Sequence, residues 1–407
     1  MIKTVNVSHV EVSTRVSNGF EINPRAVKPS PMQRPILVSF LPAIATCMIW
    51  LYVVLYSHEP LGTLWNEIFV VYWPMTIAMI AGSLIAGSTP LGGGVVAFPI
   101  AVLLIGFTPP EGRDFTVMIQ TVGMNAAAYL IVLKKPELPD FDLVATFTIG
   151  GIPGVLTGLA LNLAPFGVIL TFQILVFQFA CIFFYLNVLA PRSSPSAIPS
   201  TPPLRPVESS APSSASESRL SIYAAHSSMW AAAFAGGFLT ANIGSGSDIC
   251  LYAYGLLGWN LLVPEAQRFS DTALTASSVI VMGLLSLVTT ICRLLTTGIA
   301  TNVLHCWGAT SWLVCFGAPL GSLLLTPGLR AQLRIAFYAL AVAQFVGFAV
   351  LKIKGNAGAW AAFGGVTVAV IALLALHFFM SSKRIVKKGK LPVNITSRIV
   401  CQRLLRE

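Results

Sequence analysis

Long apolar runs follow one another along most of the chain, separated by short polar segments. A transmembrane helix needs about 20 predominantly apolar residues, and most of the runs are close to that length. The runs at 91–107 and 249–263 are the weakest and are predicted to be half-spans or re-entrant segments. The pattern predicts an all-α polytopic membrane protein with about 10–12 transmembrane helices. The predicted spans are 36–57, 68–88, 91–107, 115–133, 143–163, 167–190, 229–243, 249–263, 270–291, 304–325, 331–351 and 359–380.

Polar segments divide these spans into two halves. Residues 1–35 are polar and basic and have no apolar run, which predicts a disordered cytosolic arm. Residues 191–228 are rich in Ser, Pro and Ala and bury too little apolar surface to fold, so they are predicted to be a flexible linker. The first membrane half is then 36–190 and the second is 229–380. A basic cytosolic tail follows at 381–407.

Glycine and proline interrupt the apolar pattern at membrane depth. Residues 92–94 lie at the beginning of the third run, residues 244–246 precede the eighth, and residues 150–154 break the fifth. In hydrocarbon, unwound backbone is tolerated only where protein or a watered cavity satisfies its polar groups. The interruptions therefore predict broken helices that line a transport site.

The first two of these interruptions belong to an internal repeat with an offset of 154 positions. Eight identities relate residues 81–121 to residues 235–275, and they include the glycine pair Gly92 and Gly246. Such self-similarity is typical of duplicated architectures. Equivalent spans are an odd number of spans apart, so the two copies should have opposite orientations. The pattern predicts two inverted repeats, as in secondary transporters.

Composition supports a membrane location. Of 407 residues, 55% are hydrophobic and 10% are charged, whereas soluble proteins carry about 25% charged residues. The net charge of +10 does not indicate nucleic-acid binding, because the basic residues lie in tails and loops. All but Arg113, Arg293, Lys352 and Lys354 fall on one side of the predicted topology. The positive-inside rule then places both termini in the cytoplasm.

Motifs for catalysis, cofactors and metals are missing from the sequence. It contains no G-x-x-x-x-G-K-[ST] motif for ATP, no Ser/His/Asp order and no zinc-ligand spacing. The seven cysteines are scattered and are interpreted as small buried residues. We therefore expect no enzymatic activity, no catalytic residue, no cofactor and no metal.

Candidate substrate-binding residues come from the two glycine turns and the fourth span. A helix N-terminus presents free N–H groups and partial positive charge, and glycine lets an anion approach the backbone. Close helix packing by small residues is the alternative for the glycines, and hydrogen bonding between helices is the alternative for the fourth span. The candidates are Gly92, Gly93, Gly94, Gly244, Ser245, Gly246, Gln120 and Thr121.

The two Pro-Glu segments, at 110–114 and 264–268, each contain an acid and a base that are candidates for gating or coupling. Arginine can hold an oxyanion with two parallel hydrogen bonds, and a carboxylate beside a dry pathway can titrate. A salt-bridged turn that caps the next helix is the alternative. The candidates are Glu111, Arg113, Asp114, Glu265 and Arg268. For two further acids, Asp248 and Asp271, protonation and helix capping both stay open.

Five motif segments lie at the glycine turns and the Pro-Glu segments. They are AGSTPLGGGVVAFPI at 86–100, PPEGRDF at 109–115, IQTVGM at 119–124, ANIGSGSD at 241–248 and VPEAQRF at 263–269. These segments resemble the sulfite exporter TauE/SafE family of membrane permeases, over about residues 68–375. The resemblance implies ATP-independent movement of sulfite, sulfonates or related sulfur-containing or carboxylate anions. The arm, the first span and the linker depart from the family pattern.

The combined expectation is a secondary transporter or exporter of small anions that works by alternating access. Its expected partners are a small anionic solute and the lipid bilayer, with proton coupling as one option and no nucleic acid. The alternative is a membrane receptor or scaffold that uses its cytosolic linker and tail. Duplicated glycine breaks favour transport, since a scaffold has no use for them.

Overall fold

The structure, a computed structural model, describes residues 41–56, 65–90, 92–186, 214–263, 267–323, 327–353 and 355–387. All regular secondary structure within these ranges is helical. The helices, numbered in chain order, are α1 (Leu41–Tyr56), α2 (Trp73–Ser88), α3 (Gly94–Pro99), α4 (Pro109–Lys134), α5 (Phe141–Leu161), α6 (Pro165–Phe184), α7 (Ser214–Ile243), α8 (Ser247–Ala253), α9 (Asp271–Thr296), α10 (Thr301–Leu323), α11 (Pro327–Phe348) and α12 (Ala357–Lys387).

Polar caps determine where several long helices begin. At the start of α4, the backbone N–H of Thr108 donates to the Glu111 carboxylate at 2.8 Å, and the Thr108 hydroxyl accepts from the Glu111 N–H at 3.4 Å. This is a capping box, which satisfies N–H groups that have no partner within the helix. Asp140 caps α5 and Ser270 caps α9 with one side-chain acceptor each.

Six of the described helices, α4, α5, α6, α9, α10 and α12, are long and apolar enough to cross a membrane. Three further apolar helices are shorter, at Trp73–Ser88, Gly94–Ile105 and Phe337–Lys352. Large apolar side chains such as Leu104 and Val368 are exposed, and hydrocarbon suits such a surface better than water does. The described part of the chain is all-α and has the architecture of a multi-pass membrane protein.

Helices α2–α6 and α7–α11 pack in a reciprocal pattern. Helix α2 lies along α10, and α7 lies along α5; in the same way α4 packs on α10, and α9 packs on α5. Helices α4 and α9 contact each other, as do α6 and α11. The short helix α3 packs on α2 and α4, and α8 packs on α7 and α9. Each helix of the first set therefore has the same kind of neighbours as the helix five places later.

Small residues bring the paired helices into backbone contact. A Cβ on Gly237 of α7 would overlap the carbonyl oxygen of Gly151 in α5, and a Cβ on Gly87 of α2 would overlap the carbonyl oxygen of Ala318 in α10. In each pair, the residue numbers of the contacting positions rise together along the two helices. Both pairs are therefore parallel. Van der Waals packing of this kind holds helices together in lipid, where no hydrophobic force acts between them.

Polar contacts show that α4 and α9 run antiparallel. The hydroxyl groups of Thr121 and Thr290 are 2.8 Å apart, and the Asn125 side chain donates to the Gly283 carbonyl oxygen at 2.9 Å. Residue numbers rise along α4 as they fall along α9. The third helix of the first set is thus opposed in direction to the third helix of the second.

Both short helices continue as π-helices at the repeat offset. Helix α3 is followed by Ile100–Ile105 and α8 by Tyr254–Trp259, whose bounds differ by 154 positions. π-Helical turns are rare and often occur at functional sites. The same local distortion therefore occurs in both copies, at the offset found in the sequence.

Helices α4, α5 and α7 differ from the sequence predictions. Helix α7 begins at Ser214, inside the predicted linker, because residues 214–228 contain neither proline nor glycine to stop a helix. Helix α5 runs without a break through Pro153, and its glycines pack against α7 instead. The first Pro-Glu segment is the first turn of α4 and not a loop. The predictions for the N-terminal arm, for the linker up to residue 213 and for the tail beyond residue 387 lie outside the described residues.

The glycine contact between α5 and α7 can be tested with Gly237→Leu. We expect a lower melting temperature, because the neighbouring backbone cannot move aside and overpacking costs about 1–3 kcal/mol or more. The matched control is Gly364→Leu in α12, where no atom lies within 4 Å of an added Cβ. Thermal unfolding of the full chain in detergent is the measurement. Equal shifts for the two variants would contradict the backbone contact.

Candidate functional site

The two glycine turns are buried inside the helix bundle and lie against each other. Gly92 (φ 58°), Gly244 (φ 80°) and Gly246 (φ 146°) have positive φ angles, which residues with a Cβ rarely adopt. All residues of both turns, at 92–94 and 244–246, are buried. A Cβ on Gly94 would lie 3.0 Å from the Cβ of Ser245. Two breaks that are far apart in the chain thus form one structural unit.

Two side chains of α4 join the turns. Gln120 donates from Nε2 to the Gly244 carbonyl oxygen at 2.9 Å. Thr116 contacts both turns, since a Cβ on Gly94 or on Gly244 would lie 2.8 or 2.9 Å from its side chain. Thr116 and Gln120 are four residues apart and therefore share one face of α4. The turns meet near the middle of this 26-residue helix, about 17 Å from its start.

Three buried polar atoms beside the turns have no hydrogen-bond partner: Gln120 Oε1, Ser245 Oγ and Asp248 Oδ2. A Cβ on Gly92 would lie 2.7 Å from Asp248 Oδ2 and 3.1 Å from Gln120 Oε1. These two acceptors therefore lie within 3.1 Å of one point beside Gly92, where an added Cβ would overlap Asp248 Oδ2. Buried polar atoms are nearly always hydrogen-bonded in proteins. We call the set Gly92, Gly94, Gln120, Ser245 and Asp248 the turn site.

The starts of the two short helices are chemically unequal, although the repeat predicts equivalent anion sites. No side chain caps the start of α3 at Gly93. At the start of α8, Asp248 Oδ1 accepts from the N–H of Ile249 at 2.9 Å. One oxygen of Asp248 therefore satisfies an N–H group in the first turn of α8, while the other oxygen faces the turn site.

A buried ion cluster adjoins the turn site. Arg113 Nε donates to Asp114 Oδ1 at 2.9 Å, and Arg293 Nε lies 3.2 Å from the same oxygen without hydrogen-bond alignment. The arginines are only 4% and 3% exposed. A Cβ on Gly244 would lie 2.8 Å from the Arg113 carbonyl oxygen. Two guanidinium groups around one carboxylate leave an excess of positive charge. We call Arg113, Asp114 and Arg293 the arginine cluster.

The arginine cluster is held at the C-terminal ends of α5 and α7. Arg113 Nη1 donates to Oδ1 of Asn162, the residue that follows α5, at 2.9 Å. Arg293 Nη2 donates to the carbonyl oxygen of Ala241 in the last turn of α7 at 2.7 Å. Helix C-termini carry unpaired carbonyls and partial negative charge, which stabilise nearby cations. The parallel packing of α5 and α7 places both ends at this cluster.

Other predicted residues have contacts that match the plainer alternatives. Glu111 caps α4 and also accepts from Asn302 Nδ2 at 2.7 Å, which joins the starts of α4 and α10. Thr121 bonds to Thr290 of α9 and does not contact the glycine turns in the described hydrogen bonds. Asp271 accepts from the Tyr252 hydroxyl, which links α9 to α8. A gating role for Glu111 stays a prediction.

The described residues of the second Pro-Glu segment lie away from the turn site and the arginine cluster. Arg268 is exposed ahead of α9, and no described contact joins it to the turn site or to the arginine cluster. Glu265 lies outside the described residues. The duplication of the Pro-Glu motif in the sequence is therefore not matched by a described duplication of the cluster.

Sequence reasoning missed two residues that complete these sites, Thr116 and Arg293. Thr116 has no distinguishing local signal, since hydroxyl residues are common in apolar helices. Arg293 does have one, because a single arginine inside an apolar helix is expensive and marks a functional or paired position. Its partner Asp114 is too distant in the chain to be identified without the fold.

The helices and their buried polar centre define an all-α membrane protein of the multi-pass class. Within the described ranges, no group of three or more His, Cys, Asp or Glu side chains is arranged to hold a metal ion. No protein-family model matches the chain, and no curated protein or solved structure has significant similarity to it.

The arginine cluster predicts a large stability effect for Asp114→Ala. Removing the carboxylate leaves two buried guanidinium groups facing each other, and breaking a buried ion pair in this way costs about 3–5 kcal/mol. Melting of the detergent-purified chain should therefore shift strongly downward.

Asp142→Ala is the control for this measurement, since Asp142 is exposed in the first turn of α5. An acid at that position contributes about 0.3–1 kcal/mol through the helix dipole. If Asp114→Ala melts no lower than Asp142→Ala, the cluster does not stabilise the fold.

Proposed function

We propose that the protein is a secondary transporter of small anions, with sulfite, sulfonates or related sulfur-containing or carboxylate anions as substrates. The observation that carries the proposal is the contact between the two buried glycine turns, held by Gln120 beside unpartnered polar atoms. Unwound backbone at membrane depth is costly, and membrane proteins retain it where it lines a solute site. The resemblance of the motif segments to TauE/SafE permeases points to the same activity.

Helix packing supports an assembly of two inverted repeats, α2–α6 and α7–α11. Their packing is reciprocal, and the equivalent helices α4 and α9 are antiparallel. A two-fold axis along the membrane normal would leave equivalent helices parallel, whereas an axis in the membrane plane makes them antiparallel. With α1 and α12 added and α3 and α8 counted as broken half-spans, the assembly falls within the expected 10–12 spans, with both termini cytoplasmic.

Charge favours an anion as the solute. The arginine cluster has one more positive charge than negative and is buried beside Gly244. Buried excess charge focuses the field and raises the local concentration of counter-ions. The uncapped start of α3 adds N–H groups and the positive end of a helix dipole at Gly94. Arg113 and Arg293 thus form an attracting entrance, and the turn site binds the anion.

The way the helices group supports alternating access. Two packed units, α2–α4 with α10 and α7–α9 with α5, each contain one short helix, α3 or α8, that begins at the turn site, and the units contact each other through α4 and α9. Rocking one unit against the other about that contact would expose the turn site first to one side and then to the other, as inverted-repeat transporters do. The driving force is an ion or solute gradient, because the sequence has no ATP-binding motif.

Gly94→Ala tests the site, because its Cβ would lie 2.8 Å from Thr116 Cγ2 and 3.0 Å from Ser245 Cβ, inside the turn site. The control is Gly93→Ala, since Gly93 has an ordinary φ of −74° and its Cβ would meet Met79 at 3.6 Å. Uptake of sulfite, sulfate and methanesulfonate is measured in proteoliposomes of the full chain. We expect Gly94→Ala to slow uptake about tenfold or more, equivalent to ~1.4 kcal/mol.

Gly93→Ala should transport at close to the wild-type rate and melt near the wild-type temperature. Gly94→Ala should melt lower, because its Cβ would also lie 2.5 Å from Gln120 Nε2 and overpacking costs about 1–3 kcal/mol, so uptake is compared per amount of folded protein. Equal rates for the two variants would move the site away from α3. A wild-type protein that transports none of the three anions would refute the proposal and favour the receptor or scaffold alternative.

A further inference from the structure

Asp248 is a fully buried acid at the centre of the proposed transport site. It lies in the first turn of α8 and is 0% exposed. Its Oδ1 accepts from the Ile249 N–H, and its Oδ2 has no hydrogen-bond partner. Helix capping accounts for the first oxygen only, so the second is available for another role.

Gln120 fixes the surroundings of this free oxygen. Gln120 Nε2 donates to the Gly244 carbonyl oxygen. A flip of the amide would place Oε1 against that carbonyl oxygen, so that two acceptors would face each other. Gln120 Oε1 therefore stays on the side of Asp248 Oδ2, and both lie within 3.1 Å of one point beside Gly92. Two buried acceptors face this point, and a charged carboxylate there is unfavourable. A proton on Oδ2 makes it a donor and relieves the conflict.

Charged groups on the surrounding helices have partners elsewhere. Arg113 and Asp114 of α4 and Arg293 of α9 bond to one another, to Asn162 and to the Ala241 carbonyl. Helices α2, α3 and α6 contain no Asp, Glu, Lys, Arg or His. The remaining titratable side chains that the structure describes on α7, α8 and α9 are Tyr223, His226, Cys250, Tyr252, Asp271 and Cys292. His226 packs on Trp259, Asp271 bonds to Tyr252, and Cys250 is two residues from Asp248 in α8. No described ion pair joins a base to Asp248.

We propose that Asp248 carries the proton of a proton–anion symporter, an inference that rests on the proposed function. An anion at the start of α3 shares the space in front of Asp248 Oδ2, and two negative charges there repel each other strongly in a dry site. One proton binds to Oδ2 when the anion enters and leaves when the anion leaves. The protonated acid donates its O–H to the anion or to Gln120 Oε1. For a singly charged anion the cycle moves no net charge.

The test uses the full chain in phosphatidylcholine–phosphatidylglycerol vesicles with a pH-sensitive dye trapped inside. The probe is methanesulfonate, which stays an anion throughout the assay, so any pH dependence belongs to the protein; sulfite is the second probe. An inward anion gradient should acidify the vesicles of wild type by about one proton per anion. Uptake should fall toward high pH by up to about tenfold per pH unit, as the protonated fraction of one carboxyl group does.

Asp248→Asn separates coupling from binding. The amide resembles the protonated acid but cannot release a proton, so exchange of internal for external methanesulfonate should persist while acidification disappears. Asp248→Glu keeps a titratable group and should retain acidification. Asp142→Asn, at an exposed position on α5, should behave like wild type.

Several outcomes overturn this inference. In wild type, these outcomes are anion uptake that is independent of pH or that is driven by sodium. In Asp248→Asn, they are acidification that persists, or a folded protein that no longer exchanges methanesulfonate. If Asp248→Asn does not fold, the wild-type pH profile and Asp248→Glu decide the question. Wild type that moves neither probe refutes the proposed function itself, whereas anion uptake without acidification refutes only the coupling.

Discussion

The hydrogen bond from Gln120 to the Gly244 carbonyl oxygen joins two chain breaks that neither half of the protein could bury alone. In lipid, each backbone group without a partner costs several kcal/mol, so a glycine turn at mid-membrane depth needs a protein surface around it. The turns at 92–94 and 244–246 supply much of that surface to each other, and Thr116 and Gln120 of α4 fill the space between them. The close contacts of α2 with α10 and of α5 with α7 hold the helices that lead into the turns.

The two halves share their backbone geometry but not their chemistry. Short helices followed by π-helical segments occur at the same offset in both. Yet α3 begins without a side-chain cap, whereas α8 begins with Asp248. The arginine cluster combines the start of α4 with the end of α9 and lies at the ends of α5 and α7. In the proposed transporter, these unequal side chains would give the pathway a basic region and an acidic one, which a symmetric pair of anion sites would lack.

These two regions are connected along one face of α4. Arg113 and Gln120 are two helical turns apart, about 10 Å along the axis, with Thr116 between them. An anion attracted by the excess charge of the cluster would therefore move a short distance to reach the turn site. The same path ends at the buried carboxyl group of Asp248. The arginine cluster, which would attract the anion, and the Asp248 carboxylate, which would repel it, therefore belong to neighbouring sites. In the proposed symport, protonation of Asp248 removes that opposition, so that a proton gradient can do work on the anion.

Local patterns in the sequence were enough to predict the helical class, helices apolar enough to cross a membrane and the positions of both glycine turns, because apolarity and the effects of glycine and proline are local properties of the chain. It also contained the repeat offset, which the two π-helical segments reproduce. Local signals failed where packing decides the outcome. The glycines at 150–154 predict a break, but they serve the contact of α5 with α7 and the helix continues. Thr121 is a candidate substrate-binding residue, and it bonds to Thr290 of α9, which matches the alternative of hydrogen bonding between helices. Only the tertiary structure brings Arg293 to Asp114 and Asp248 to Gly92, because these contacts depend on how distant helices cross, and no short stretch of sequence encodes that crossing.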